Sequence, residues 1–356
     1  MSGIINIKNG ALRILKNTAW WHLSYYLAGR GFPLAATFQL TNSCNLRCRM
    51  CNIPNNPKQG VLGLGSFKKI VSDLSGMGCC FASLSGGEVL TIPNFFEYLR
   101  SAKKCLPSVN FVTNGLLLDK AAASEAASAR VDSVSISIDG LEKTHEEIRN
   151  MKGAFNKTLG AIENMKRNAP GVKIVVNTVI APWNIDELKD LADFIAGLGV
   201  AQKFQPLNAH PDFDGQKKPY DMEKEKRFDA EKVEDLIRYL MTKKHVANSR
   251  YFLKAIPGYL AGAISSGVFD APCKLPSFFC EFREDGMMYP CLGGTSWSNG
   301  FSVEDGVSKV FRSVGYREAS RKLEGCRGCK KSYSVCYIEP RVTFPITNMI
   351  RYKAFG

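Results

Sequence analysis

The chain has 356 residues, 45% of them hydrophobic and 22% charged, which suits a folded globule of about two domains and excludes a disordered tail or a fibre. No stretch of about 18 residues is free enough of charge to read as a bilayer span, and no basic head leads into an apolar secretory leader. Twelve cysteines without an export signal point to reduced, metal-binding thiols rather than disulfides.

The net charge of +14 is unevenly spread: nine Lys and Arg, but no Asp or Glu, precede Asp73. Such asymmetry suggests an anionic partner. Residues 1–34 hold Lys8, Arg13 and Lys16 beside Trp20, Trp21, Tyr25 and Tyr26, with Leu12, Leu15, Ala19, Leu23 and Leu27 near helical spacing. A basic amphipathic helix with interfacial aromatics suits an anionic membrane surface. The same pattern suits a helix packed under the following domain, and the composition also fits a transit peptide.

Residues 35–207 alternate strand and helix patterns. The strand candidates are Ala35–Thr41, Phe81–Ser85, Asn110–Thr113, Val131–Ile138, Lys173–Ile180 and Ala201–Gln205. Between them lie helical patterns over Phe67–Leu74, Phe95–Lys104, Asp119–Ala129, Ala154–Arg167 and Asp186–Leu198. This alternation predicts a parallel sheet with right-handed crossovers and a functional end at the carboxyl termini of the strands. Residues 208–271 read as a polar linker to Arg227, then helices, the first over Asp229–Lys244 on Val233, Leu236, Ile237 and Leu240. Residues 272–340, rich in Gly and Cys, suit a small domain held by metal. Residues 341–356 form a basic, aromatic tail with Arg351 and Lys353.

Nine cysteines fall into three sets: Cys44, Cys48 and Cys51; Cys273, Cys280 and Cys291; Cys326, Cys329 and Cys336. Cys79, Cys80 and Cys105 sit among apolar residues and read as core packing. Three thiolates on one loop can hold three irons of a [4Fe–4S] cube and leave the fourth without a protein ligand. A zinc knuckle is the alternative, although zinc sites favour two gaps of two residues, and here the gaps are three and two. Cys280 and Cys291 flank a predicted hairpin turned at Gly286.

With that spacing behind the first strand, the chain resembles the radical S-adenosylmethionine (SAM) superfamily. The family's third cysteine usually follows an aromatic residue, whereas Met50 stands here. Ser85-Gly86-Gly87-Glu88 is similar to the Gly-Gly-Glu that receives the methionyl amine of SAM in that family. The resemblance implies an α/β partial (β/α)6 TIM-type barrel, with Asn114, Ser137, Asp139 and Asn177 as further cofactor-lining residues; Ser137 or Asp139 would lie near the ribose. Gln205 is a further polar lining candidate. His145 and Arg149 echo the family's wording but receive structural roles, His145 as a satisfied surface group.

The second and third cysteine sets resemble the SPASM/twitch extension, a small C-terminal Cys-rich α+β domain with auxiliary [4Fe–4S] clusters. No Cys follows Cys336, so these six thiols cannot supply four to each of two clusters; one or two auxiliary clusters are expected. The implied activity is reductive SAM cleavage to a 5′-deoxyadenosyl radical, which takes hydrogen from an unactivated C–H, with oxidation or group transfer as the net result. No general base can be ranked. The basic segment favours a lipid-linked or phosphorylated small substrate; a maturase of peptide or protein side chains is the alternative, and an iron–sulfur electron-transfer protein the alternative of another class. Expected partners are a small reductant such as a flavodoxin or ferredoxin and an anionic membrane surface, with nucleic acid not expected. The expected location is cytoplasmic, peripheral on the inner face of the membrane.

Overall fold

The computed structural model describes residues 2–208, 228–261, 273–291, 300–324 and 334–351. Helix α1 (Ser2–Ala28) leads into strand β1 (Ala35–Gln39). There follow α2 (Leu64–Met77), β2 (Phe81–Ser85), α3 (Phe95–Cys105), β3 (Ser108–Thr113), α4 (Lys120–Ser128) and β4 (Ser133–Ser137). Next come α5 (Glu142–Arg149), α6 (Ala154–Asn168), β5 (Lys173–Ile180), α7 (Leu188–Gly197) and β6 (Ala201–Pro206). All six strands are parallel and pair in sequence order, so the α/β partial barrel implied by the resemblance is the fold found.

The local reasons are ordinary. In α2, Phe67, Ile70, Val71 and Leu74 repeat at helical spacing and face the sheet, and Gly78 ends the helix at φ +104°, a conformation that favours glycine. Asp119 caps α4 by accepting from the Ala122 amide. The strands alternate: outward residues such as Phe38, Leu84, Phe111 and Phe204 are fully buried under the helices. Their inward neighbours are half-buried and largely polar, among them Thr37, Ser83, Asn110, Ser137, Asn177, Lys203 and Gln205. Asn110 joins three strands across this inner face, donating to Ser83 (3.0 Å) and accepting from Ser133 (3.1 Å). The lumen is therefore a polar one.

Beyond residue 227 the helix expected over Asp229–Lys244 is α8 (Ala230–Leu240), with Val233, Leu236, Ile237 and Leu240 buried. Helix α9 (Arg250–Leu260) follows, capped by Ser249. The expected linker falls on residues 209–227, outside the described residues. The Cys-rich region does not stand apart from the barrel sheet. Strand β7 (Phe279–Phe282) pairs in parallel with the free edge of β1, Cys280 opposite Ala36, and Phe282 stacks on Phe38. The predicted hairpin is present: β8 (Met287–Tyr289) returns antiparallel through a turn at Gly286, φ +78°, and β9 (Phe301–Ser302) adds to it. Helices α10 (Val307–Phe311), α11 (Val314–Glu324), α12 (Val335–Thr343) and α13 (Ile346–Arg351) complete the described chain.

Two of the helices whose bounds the sequence reading did not give show different reasons for this. Helix α5 (EKTHEEIR) buries only His145, Ile148 and Arg149, so no apolar period announces it. Helix α9 carries Pro257 inside, which reads as a breaker. Among the described residues no helix is long and apolar enough to cross a membrane.

Candidate functional site

The loop after β1 carries Cys44, Cys48 and Cys51, and it is bound on several sides. Thr41 bridges Val61, the Leu62 amide donates to Leu40 O (2.8 Å), and the Arg49 amide donates to Ile148 O (2.8 Å) at the end of α5. At the end of β2 the Gly87 amide donates to Thr41 O (2.7 Å) and the Glu88 amide to Ser43 O (2.9 Å). The two glycines are what permits this crossing. A Cβ on Gly86 would lie 2.5 Å from Thr41 O, and one on Gly87 would lie 2.1 Å from Ser43 O and 3.0 Å from the Cys44 Cβ. The close backbone approach that these glycines permit is made to the cysteine loop.

Glu88 is buried and bonded. Its carboxylate accepts from the Asn114 amide (2.7 Å), the Thr113 hydroxyl (2.8 Å) and the Leu90 amide (3.0 Å), leaving about one of its four acceptor positions. Burial pushes its acidity down, and the three donors pull in the opposite direction. Asn114 ties β3 to the cysteine loop through Nδ2, which donates to Asn45 Oδ1 (2.7 Å). Gly86, Gly87, Glu88 and Asn114 therefore meet at one corner with Cys44.

Ser137 and Asn177 stand side by side on β4 and β5, in register. Both are half-buried, and neither side chain has a hydrogen-bond partner among the described residues. Asp139, expected near the ribose, is instead held inside: Oδ1 accepts from the Val179 amide (2.9 Å) and Oδ2 pairs with Arg149 Nη2 (2.5 Å). His145 is corrected too. It is buried rather than on the surface, and its Nδ1 accepts from the Asp139 amide (3.2 Å). Burial, with Arg149 adding to it, lowers its pKa to about 3, so the imidazole is neutral.

Arg149 is the residue whose place the sequence reading missed. Nearly buried, it sets Nη1 3.7 Å from the Cys48 sulfur while holding Asp139. Burial disfavours its charge, but Asp139 and the Cys48 thiol more than offset this, so the guanidinium stays protonated. Its Nε is buried with no partner among the described residues. The sequence signal was present in Thr144-His145-Glu146-Glu147-Ile148-Arg149, but a polar segment with no apolar period gives no sign of being buried.

The three thiols lie close enough to feel one another electrostatically, and burial raises Cys44 and Cys51, the latter to about 12. Such thiols are protonated until a metal displaces the protons. A cube-shaped cluster takes a thiolate at each of three separate corners, and its net negative charge suits the guanidinium beside Cys48. The donor set, the buried cation and the orphaned Nε fit a [4Fe–4S] cluster with an open corner.

The remaining predicted ligands are scattered. Cys280 is fully buried on β7 near Cys79, and Cys273 packs with Trp21, Leu34, Cys80 and Phe278. Cys291 is half-buried and, with Cys280, neighbours the Tyr316 phenol. Cys336 is exposed at the start of α12, with Lys203 and Glu281 as electrostatic neighbours. Cys326 and Cys329 lie outside the described residues. Cys79 and Cys80 are buried as expected of core packing, and Cys105 is half-buried. Among the described residues no three Cys, His, Asp or Glu side chains converge on a single ion.

Residues 38–195 match the family model described as the radical SAM superfamily. The sporulation killing factor maturation protein SkfB of Bacillus subtilis is 30% identical over 169 residues, which are 47% of this chain and 41% of that protein. The AdoMet-dependent heme synthase of Methanosarcina barkeri is 31% identical over 171 residues, 47% of this chain and 48% of that protein. The chain thus spans less than half the length of these two relatives. In fold it is similar to SuiB of Streptococcus suis, solved bound to S-adenosylmethionine, with a TM-score of 0.62 and 16% identity over 86% of this chain and 72% of that one. The cofactors of this family are a [4Fe–4S] cluster and SAM, and residues 38–195 of this chain are a radical SAM domain.

Proposed function

We propose that the chain is a radical SAM enzyme that modifies a side chain of a peptide or protein. The observation that carries the radical SAM part is the bound cysteine loop with Gly86-Gly87-Glu88 crossing it and Arg149 beneath it. The relative that is a maturation protein supports the peptide part, ahead of the lipid-linked or phosphorylated small substrate that the basic segment favoured.

When bound, the cluster and SAM supply a 5′-deoxyadenosyl radical that removes hydrogen from an unactivated C–H. In this reading Cys44, Cys48 and Cys51 hold the cluster, and Arg149 offsets its negative charge. Gly86, Gly87 and Glu88, with Asn114, hold the SAM end of β2 and β3 against the cysteine loop. Ser137 and Asn177 offer free polar groups to the ribose side, and Asp139 positions Arg149. The polar lumen accepts the substrate, and a water-poor mouth protects the radical. Cys273, Cys280, Cys291, Cys326, Cys329 and Cys336 would supply one or two auxiliary clusters, gathered by the metal itself in a domain spanning 272–340. A flavodoxin or ferredoxin would supply the electron, and a cytoplasmic location would keep the thiols reduced.

A second reading, a small-molecule substrate, is favoured by the heme synthase among the relatives. Anaerobic incubation with dithionite and SAM should yield 5′-deoxyadenosine. Co-expression with short peptides encoded beside the gene should yield one with a changed mass. Deoxyadenosine with unchanged peptides, and an altered small metabolite in a deletion strain, would overturn the peptide reading.

A further inference from the structure

Helix α1 crosses the end of the barrel opposite the cysteine loop. Arg13 donates to Cys105 O (2.7 Å), and Asn17 to Gly78 O (2.9 Å). Trp21 is fully buried against Leu34 and Cys80 and donates to Ser277 O (3.0 Å). These partners lie just before or between β1, β2 and β3, so the helix covers their amino-terminal ends, as one of the sequence readings expected. Yet only one face of it is used.

The opposite face is bare and, apart from Lys16, largely apolar. Trp20 is 59% exposed beside the fully buried Trp21, and Leu12, Leu15, Leu23 and Leu27 are each between 50% and 79% exposed. At about 100° per residue these five and Ala19 fall within an arc of about 140°, an apolar ridge along the helix that the exposed Lys16 interrupts. Beside it lies a recess of ≈ 920 Å³ whose lining includes Trp20, Arg30, Phe32, Arg312, Arg317 and Arg321. Among the described residues no Asp or Glu lines it, and none of the four guanidiniums has an ion-pair partner. An adjoining recess adds Arg13 and Lys16. Helix α13 runs alongside, joined by the Tyr26–Thr347 hydrogen bond (2.9 Å), with Ile346 and Ile350 exposed.

We propose that this underside docks on an anionic lipid bilayer, the α1 ridge entering the headgroup layer while the arginine recess receives lipid phosphates. The charge decides the occupant: six basic side chains, no acid, and a convex apolar ridge with an interfacial Trp match an anionic surface with an apolar layer beneath. A second copy of this chain would bring the same positive recess and repel it. Docked this way, the barrel mouth faces away from the membrane.

Flotation of the full-length holoprotein tests this with phosphatidylcholine vesicles, with and without phosphatidylglycerol. The protein should rise with the anionic vesicles only. Leu15→Gln/Leu23→Gln and Arg312→Gln/Arg317→Gln/Arg321→Gln should each weaken binding, the latter by about fivefold per arginine at low salt. Iron content and SAM cleavage in solution should stay unchanged in both variants, which separates this test from that of the proposed chemistry. Recovery of the wild type in the unbound fraction with both vesicle types would overturn the proposal, as would flotation indifferent to both variants. Inorganic phosphate binding lost only in the arginine variant, with flotation absent, would instead make the recess a site for a soluble phosphate. A dimer abolished by the leucine variant, again without flotation, would make the ridge a self-association surface.

Discussion

The two cysteine-rich regions of this chain are built in opposite ways. Around Cys44, Cys48 and Cys51 the backbone is pinned by β2, α5 and the Thr41–Val61 bridge, so the loop is shaped by protein bonds alone. Cys273, Cys280, Cys291 and Cys336 sit in a tryptophan cluster, a sheet interior, a hairpin end and an exposed helix start, with Tyr316 a neighbour of both Cys280 and Cys291. One centre is preorganised by its fold; the other would have to be assembled by its metal. In the proposed function the first centre releases an electron to a bound sulfonium in fixed geometry, a task that gains most from the first kind of construction.

The largest test of that contrast is Cys44→Ala/Cys48→Ala/Cys51→Ala. It should abolish 5′-deoxyadenosine formation while lowering the iron count by one cluster; undiminished product would sink the assignment. Next, Arg149→Met leaves Asp139 buried and unpaired, and should destabilise the fold by about 3–5 kcal/mol in denaturant unfolding. Adding Asp139→Asn should restore much of that loss, whereas equal stability of the single variant would show the pair to be idle. Gly87→Ala must displace Ser43 O, a backbone atom, and should lower iron occupancy, cleavage and the unfolding midpoint together.

Smaller still is a pH effect. The His145 value near 3 lies below its ordinary 6.5, so the unfolded chain takes up that proton first as pH falls. The stability it contributes is complete above pH 6.5 and drains by about 1.4 kcal/mol per pH unit towards 3. His145→Asn, which can still accept from the Asp139 amide, should flatten that slope in unfolding curves taken at pH 7 and 5. The mildest expected change is Cys336→Ala: less iron, but SAM cleavage retained, because the barrel site does not depend on it. Loss of cleavage there would mean that the two centres form one unit.

What could be read from the sequence follows from how each residue is held. The six strands and the cysteine loop were legible because alternation and ligand spacing are properties of a short segment. Phe81–Ser85 and Lys173–Ile180 agree to the residue with the observed strands. Arg149 and His145 were misjudged because their helix is polar in composition, and only tertiary contact makes it internal. Likewise Glu88 and Asp139 look like free carboxylates in the sequence, whereas their bonds run to the backbone amides of Asn114 and Val179, which no local pattern announces. The pairing of β7 with β1 joins residues some 240 positions apart in the chain, and hairpin signals carry no information about it.

The passage of Gly86 and Gly87 over Thr41 and Ser43 gears two parts of the barrel mouth together. Because the strand end and the sulfur-bearing loop touch backbone to backbone, neither can shift by even a methyl's width without driving the other. A shift at the end of β2 would thus reach the backbone of the cysteine loop at Thr41 and Ser43, next to Cys44.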